Sequence, residues 1–206
     1  MDSEARIVTA LQQAFLAEAA AVPSRSNVRD IIGLDLSHAV AQLGPDLEPA
    51  RIEAIACDYR QRYARLHAIP TPLFEGAQTI LRQLVETGFV LAVATGKSRR
   101  GLDGAMNESG VAEFFTTSRC GEETAPKPDP TMLRDILLEL DISPHETLMV
   151  GDTEYDLMMA AAARTYAGAA TYGAHSRQRL LSLNPAIVID TLAELPAAIS
   201  QLNLIK

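Results

Sequence analysis

The sequence is poor in the features that mark secreted and membrane proteins. Its 206 residues contain only two cysteines, Cys57 and Cys120, and these predict two reduced thiols rather than a disulfide framework. The first residues include acidic Asp2 and Glu4 and lack the apolar centre of a secretory signal. No apolar run approaches the roughly 18 residues of a membrane span. These absences predict a cytoplasmic protein with no membrane partner.

Positive charge and histidine are also scarce. Lys and Arg total 18 against 26 Asp and Glu, so the net charge is −8. Such a chain repels phosphate backbones at long range, which predicts no nucleic-acid partner. The histidines show no metal-ligand spacing, and we expect surface or capping roles for them. They are His38, His67, His145 and His175.

The first third of the chain has a helical pattern. Apolar residues recur at helical spacing after Asp2 and Ser3, which can cap a first helix, and Pro23 to Asn27 should break that helix. Short helices are expected over 28–43 and a long amphipathic helix over 48–67. This pattern predicts a small helical domain over residues 1–70.

Residues 71–206 follow a different pattern, in which helices and strands alternate after a Pro-rich linker. Alternation of this kind predicts a Rossmann-like parallel α/β sheet with helices on both faces. The segment 89–95, FVLAVAT, is expected to be a fully buried strand. Further strands are predicted at 114–118, 147–152, 166–172 and 186–190, and helices at 76–87, 98–109, 130–140, 154–164 and 192–202.

Two carboxylates follow the strand at 147–152. Asp152 comes after Gly151 at the strand end, and Asp156 lies one helical turn later on the same side. Adjacent carboxylates repel unless a cation lies between them, and hard oxygen ligands at a strand end suit Mg²⁺. The structural alternative is that Asp152 caps a helix and Asp156 is solvated.

A possible phosphate site lies at two other points of the chain. Thr95 and Gly96 end a strand, where a hydroxyl and backbone N–H groups can hold a phosphate oxygen. Lys127 lies between prolines just before a helix, where its charge could neutralise a phosphate and pair with Asp156 or Asp152. The alternatives are a turn role for Thr95 and an ordinary exposed lysine at 127.

The ordered set of these motifs resembles the haloacid dehalogenase superfamily, specifically its phosphoglycolate phosphatase-like branch with a helical cap. The resemblance rests on the stretches ATGKSRRGL, KPDP, VGDTEYDLMMA and YGAHSRQRL. It implies a cap over 1–70 and a core over 71–206. It also implies that Thr95, Gly96 and Lys127 bind phosphate, that Asp152 ligates Mg²⁺, and that Asp156 is a second carboxylate behind it.

One departure from this family is severe. Its first motif, Asp-x-Asp-Gly-Thr, ends the first core strand and carries the nucleophile and the acid/base. In this sequence the chain begins with MDSEARIV, a segment that follows that motif in the family. We therefore expect that the first core strand is absent, that this sequence starts at an internal methionine, and that this form has little or no turnover.

The function expected for the complete protein is Mg²⁺-dependent hydrolysis of a small phosphorylated metabolite, with phosphoglycolate as the family-level guess. The attack would form an aspartyl phosphate. Dehalogenase and phosphomutase activities are less favoured within the same fold. The alternative of another class is a non-catalytic binding protein that uses the exposed sheet centre. The sequence leaves monomer and homodimer open.

Overall fold

The computed structural model describes residues 1–66 and 68–202. The chain divides into two compact units, residues 1–73 and 74–206. The first unit is helical and the second is α/β, which confirms the predicted fold class. The assignment of cap and core roles to these units stays a prediction.

The helical unit contains four helices. They are α1 (Glu4–Ala17), α2 (Arg25–Ile31), α3 (Leu36–Leu43) and α4 (Pro49–Arg65). Its core is formed by apolar side chains from all four helices, and the largest fully buried ones are Leu11, Phe15, Val28, Val40 and Ile55. The predicted helical character of this region is therefore confirmed, and its amphipathic pattern matches the buried face.

The helix boundaries differ from the predictions at two points. The first helix ends at Ala17, well before the predicted break at Pro23, because the chain turns through a left-handed residue at Ala19 (φ 48°). Residues Arg25–Asn27 belong to α2, whose N-cap Ser24 accepts from the Asn27 backbone N–H. The predicted end of the long helix at residue 67 lies outside the described residues.

The α/β unit alternates helices with short strands. The strands are β1 (Ala92–Thr95), β2 (Thr117–Cys120), β3 (Leu148–Gly151), β4 (Tyr166–Ala170) and β5 (Ile187–Ile189). The helices are α5 (Ala77–Glu86), α6 (Arg99–Ser109), α7 (Thr131–Leu140), α8 (Glu154–Ala163), α9 (Arg177–Leu181) and α10 (Leu195–Ser200). Helix α9 was not predicted, because its five residues are too few to show a helical period.

The five strands form two parallel sheets rather than one. Strand β1 pairs with β2, with Ala92 opposite Thr117. Strand β3 pairs with β4, and β4 with β5, with Leu148 opposite Tyr166 and Gly168 opposite Ile187. Within the described residues, no ladder joins β1 to β3, so each presents one strand edge without a backbone partner strand.

The two sheets nevertheless share their cores. On one face, Met132 of α7 and Met159 of α8 belong to a cluster that also contains Ala94 of β1 and Met149 of β3. On the other face, helices α5 and α10 cover Leu91, just before β1, together with Leu148 of β3. Since the first cluster contains side chains of both sheets and the second joins β3 to the residue just before β1, the two sheets lie in the same layer of the unit.

Two strand predictions are wrong in detail. The segment 89–95 was expected to be fully buried, but the strand begins only at Ala92, its residues are half-buried, and Val90 is 52% exposed. The strand is paired on one edge alone, which explains its exposure. The strand expected at 114–118 lies at Thr117–Cys120, because residues Ala112–Phe114 form a 3₁₀ turn first.

Membrane-spanning helices are absent from the described part of the chain. No helix there combines the necessary length with the necessary hydropathy.

Candidate functional site

Lys127 is the buried cation of the α/β unit. Its side chain is only 7% exposed, and its ammonium donates to Asp156 Oδ1 at 2.7 Å and to the carbonyl oxygen of Ala94 at 2.9 Å. The loop before α7 delivers this lysine to the carboxyl end of β1, where Ala94 lies. The pairing with Asp156 that the sequence suggested is confirmed, and the alternative of an ordinary exposed lysine is wrong.

Asp156 is buried, and both of its carboxylate oxygens accept hydrogen bonds from the protein, so the alternative of a solvated side chain is wrong. Besides Lys127, it accepts from the Thr153 hydroxyl at 2.8 Å and from the Thr153 backbone N–H at 3.2 Å. Thr153 is the N-cap of α8 and accepts in turn from the Asp156 N–H, so the two residues form a capping box. The alternative in which Asp152 caps this helix is wrong, because the N-cap is the next residue, Thr153.

Gly151 makes this close arrangement possible. A Cβ added to Gly151 would lie 2.2 Å from the Cβ of Asp156. That distance is well inside van der Waals contact, so a side chain at 151 would displace the aspartate. The glycine at the end of β3 thus allows the first turn of α8 to fold back onto the strand end.

Asp152 lies at the carboxyl end of β3 in a largely desolvated position. Its Oδ2 accepts from the Ala174 backbone N–H at 2.8 Å, and its carbonyl oxygen accepts from the His175 N–H at 3.0 Å. Burial raises the pKa of its carboxyl group above the ordinary value, and the nearby Asp156 charge raises it further. The Ala174 N–H and the Lys127 charge act in the opposite direction.

Thr95 and Gly96 complete the carboxyl end of β1. The Thr95 hydroxyl accepts from the backbone N–H of Lys97 at 3.2 Å, which is the turn role considered from the sequence. Ser98 caps α6 by accepting from Gly101 N–H. Thr95 directly follows Ala94, whose carbonyl binds Lys127, so this strand end lies beside the lysine–aspartate pair.

Sequence reasoning missed the residues that support Asp152. His175 was expected at the surface or in a cap. The surface role is wrong, since the side chain is 2% exposed, but the capping role is confirmed, because Nδ1 accepts from the Glu154 N–H at 3.1 Å in the first turn of α8. Arg179 forms two contacts of 2.6 and 2.5 Å with the Glu154 carboxylate and holds its pKa below the ordinary value. The stretch YGAHSRQRL carried these residues, but nothing in its pattern indicated which of them point inward.

Tyr172 adds an aromatic wall near Asp152. Its ring meets that of Phe74 edge-on, with centroids 4.9 Å apart. Burial raises the pKa of Tyr172 to about 12, and the charge of Asp152 contributes to that shift. The Tyr172 hydroxyl therefore lies in a partly desolvated position within electrostatic range of Asp152.

The donor set fits part of a magnesium site. Asp152 is a carboxylate in a desolvated position beside a second carboxylate, and a divalent cation would offset that repulsion. Asp156 is already neutralised by Lys127. Across residues 1–66 and 68–202, no three His, Cys, Asp or Glu side chains form a ready metal cluster. Asp152 thus fits one ligand position, and the others must come from elsewhere.

The described contacts offer no evident nucleophile. Asp156 is bound to Lys127 and Thr153, and burial disfavours the charged form of Asp152. The Thr95 hydroxyl accepts a backbone hydrogen bond and has no base within the contacts described for it. The arrangement brings one buried cation and two carboxylates together at the carboxyl ends of β1 and β3.

Several known proteins resemble this chain in sequence. A profile of the family described as "Haloacid dehalogenase-like hydrolase" matches residues 1–170. The chain is 28% identical over 204 residues to the phosphoglycolate phosphatase of Vibrio cholerae, with 95% of this chain and 90% of that protein covered. It is 30% identical over 202 residues to the probable phosphatase IndB of Dickeya dadantii, with 96% and 88% covered.

Solved structures show the same fold. The crystal structure of a predicted phosphoglycolate phosphatase from Haemophilus somnus superposes with a TM-score of 0.86 at 18% identity, and covers 96% of this chain and 92% of that one.

Proposed function

Because the chain belongs to the haloacid dehalogenase-like hydrolases, we propose that it works as a phosphatase on a small phosphorylated metabolite. The relatives named as phosphoglycolate phosphatases make phosphoglycolate the first substrate to test. The observation that carries the proposal is the buried Lys127–Asp156 pair next to Asp152, at the carboxyl ends of β1 and β3.

The proposed roles follow from position and charge. Lys127 balances the charge of the transferring phosphoryl group, and the ion pair with Asp156 fixes the position of its ammonium group. The Thr95 hydroxyl and the Gly96 N–H bind a phosphate oxygen at the end of β1. Asp152 would hold Mg²⁺, which when bound would supply electrostatic stabilisation of the phosphoryl oxygens.

The nucleophile in this proposal is an aspartate outside the described site. Its carboxylate oxygen forms a bond to phosphorus while the bond from phosphorus to the ester oxygen breaks, and a second carboxylic acid protonates the leaving alkoxide. Water then attacks the aspartyl phosphate, which releases inorganic phosphate and restores the carboxylate. Among the described residues, β1 and β3 each have one edge that pairs with no other strand, which supports the idea that a strand carrying these groups, the Asp-x-Asp-Gly-Thr segment, pairs between them.

The proposal also covers the helical unit, the cellular compartment and the oligomeric state. Residues 1–70 would act as a cap that selects the substrate and excludes water. The protein would work in the cytoplasm as a monomer or homodimer, without nucleic-acid or membrane partners.

A second candidate function is supported by one observation. Among residues 1–66 and 68–202, β1 and β3 each have one edge with no partner strand, and unpaired edges of this kind can pair with other chains. A binding protein of the same fold would use these edges and have no turnover.

The test is phosphate release from a panel of small phosphoesters that includes phosphoglycolate. It compares the 206-residue chain with the same chain preceded by an Asp-x-Asp-Gly-Thr segment, with and without Mg²⁺. We expect turnover only in the longer protein and only with Mg²⁺. Equal turnover by both proteins would contradict the assignment of the nucleophile, and no turnover by either would favour the binding function.

A further inference from the structure

The loop at 172–176 contacts Asp152 through both the main chain and the side chain. Ala174 N–H donates to Asp152 Oδ2, and His175 N–H donates to the carbonyl oxygen of the same residue. A Cβ added to Gly173 would lie 2.1 Å from Asp152 Oδ2. The loop therefore packs as closely against the carboxylate as backbone atoms allow, and its position sets the orientation of Asp152.

The loop is in turn attached to the start of α8 through the His175 side chain. The buried imidazole accepts from the Glu154 backbone N–H at 3.1 Å. Its ring also meets the Tyr155 ring edge-on, with centroids 5.5 Å apart. Since Glu154 is only two residues after Asp152, the imidazole connects the loop to the chain segment that carries the carboxylate.

An ion pair makes the same connection from the other end of the loop. Helix α9 starts at Arg177, directly after the loop, and Ser176 caps it. Arg179 of this helix contacts both carboxylate oxygens of Glu154, at 2.6 and 2.5 Å. The two side chains are about one-quarter exposed, at 28% and 26%, so water screens this pair only in part.

We propose that His175 and the Glu154–Arg179 ion pair are positioning groups for Asp152. They hold the loop in place so that the Ala174 N–H binds one carboxylate oxygen and the carboxylate keeps the orientation in which it can ligate a divalent cation. None of the three side chains needs to touch the substrate. The part of this inference that concerns the metal rests on the proposed function, whereas the part that concerns the loop rests on the contacts alone.

The loop part is tested by amide hydrogen exchange in the 206-residue chain. R179Q should accelerate exchange of the Ala174 amide at least tenfold and leave the Met159 amide of the α8 core unchanged. The matched control is R177Q, since Arg177 lies on the same short helix but pairs with Asp190 instead. Equal Ala174 exchange rates in R179Q and R177Q would overturn the inference, whatever the phosphatase assay gives.

A second pair of variants tests His175 directly. H175N keeps a hydrogen-bond acceptor near the position of Nδ1, whereas H175F keeps an aromatic ring and removes the acceptor. We expect faster Ala174 exchange in H175F and near-parental exchange in H175N. Equally fast exchange of the Ala174 amide in both variants would contradict the role of His175 Nδ1 as a hydrogen-bond acceptor.

The metal part is tested by calorimetric titration with Mg²⁺ alone, on the same variants made in the chain that is preceded by the Asp-x-Asp-Gly-Thr segment, because Asp152 by itself offers only one ligand position. Partners behind a metal ligand typically change metal affinity by about 10–100-fold, so R179Q and H175F should bind Mg²⁺ about tenfold more weakly than R177Q and H175N. Equal affinities would overturn this part. Absence of Mg²⁺ binding in the parent chain would also overturn it, together with the proposed metal site, while the exchange result would still decide the loop part.

Discussion

At the scale of single residues, the site depends on the balance between two buried charges, Lys127 and Asp156, and the partly buried carboxyl group of Asp152. Lys127 and Asp156 neutralise each other, while Asp152 keeps a charge that burial and Asp156 both disfavour. This imbalance is typical of a site that binds a further cation, and it has consequences for stability that can be measured without any substrate.

Removing Lys127 should be strongly destabilising. K127M leaves the buried Asp156 charge without its cation, and loss of one partner of a buried pair costs about 3–5 kcal/mol. The double variant K127M/D156N removes both charges and should recover most of that loss. Urea denaturation of the parent, both single variants and the double variant measures the coupling. Additive effects of the two substitutions would contradict a direct pair.

Removing the charge of Asp152 should instead stabilise the metal-free protein. Because its pKa is raised in the fold, the folded state holds more protons than the unfolded state between the two pKa values, so stability falls as pH rises through that window. D152N removes this penalty, keeps an oxygen that can accept from Ala174 N–H, and should raise stability at pH 7 by about 1 kcal/mol.

The control for D152N is its pH dependence. The gain in thermal midpoint over the parent should shrink as the pH is lowered towards the ordinary carboxyl range, because the parent then becomes protonated at Asp152. A gain that is independent of pH, or a loss of stability at neutral pH, would contradict the desolvated charge.

At the scale of elements, the carboxyl ends of β1 and β3, with Gly96 and Gly151, determine where the site lies. The sequence was sufficient to find β3, the helix that follows it and the two aspartates, because an apolar run that ends in Gly-Asp is a strong local signal. It was insufficient for His175 and Arg179, since their contacts with Glu154 arise only when the loop at 172–176 folds back onto α8. The sequence also suggested that Lys127 could pair with Asp156, but it did not indicate that the lysine would be buried or that the Ala94 carbonyl, 33 residues earlier, would accept from it.

Strand β1 shows a different limit of sequence reasoning. Its apolar run correctly predicted a strand, but not that the strand would be paired on one edge only and half-buried. Burial of a strand depends on its neighbours in the sheet, and the run itself is equally compatible with one neighbour or two.

The close approach at Gly151 gives a prediction at this scale. G151A should destabilise the protein by about 1–3 kcal/mol, because the new methyl group collides with Asp156 and the overlap cannot be relieved by a side-chain rotation. The matched control is G104A in helix α6, where a Cβ meets no atom within 4 Å and alanine should stabilise by roughly 0.5–1 kcal/mol. Thermal unfolding of both variants measures the contrast, and equal effects would contradict the packing at Gly151.

At the scale of the whole molecule, the chain consists of two units with separate cores. In the helical unit the two ends meet, since the Asp2 N–H donates to the Pro72 carbonyl oxygen at 2.8 Å, and the core uses residues from all four helices. A unit that is closed in this way does not require the rest of the chain to bury its apolar residues.

A fragment of residues 1–73 should therefore fold by itself. We expect a helical circular-dichroism spectrum and a cooperative thermal transition. A fragment that is disordered, or that melts without cooperativity, would show that the helical unit depends on the α/β unit for its stability.

The most direct test of the proposed phosphatase site is the effect of D152N on phosphate release from phosphoglycolate in the presence of Mg²⁺, measured in the chain that carries the Asp-x-Asp-Gly-Thr segment. Loss of a group that holds the metal should lower turnover by about 100-fold or more, while the thermal midpoint of the metal-free protein rises. Turnover that is unchanged in D152N would contradict the assignment of Asp152 and, with it, the proposed site.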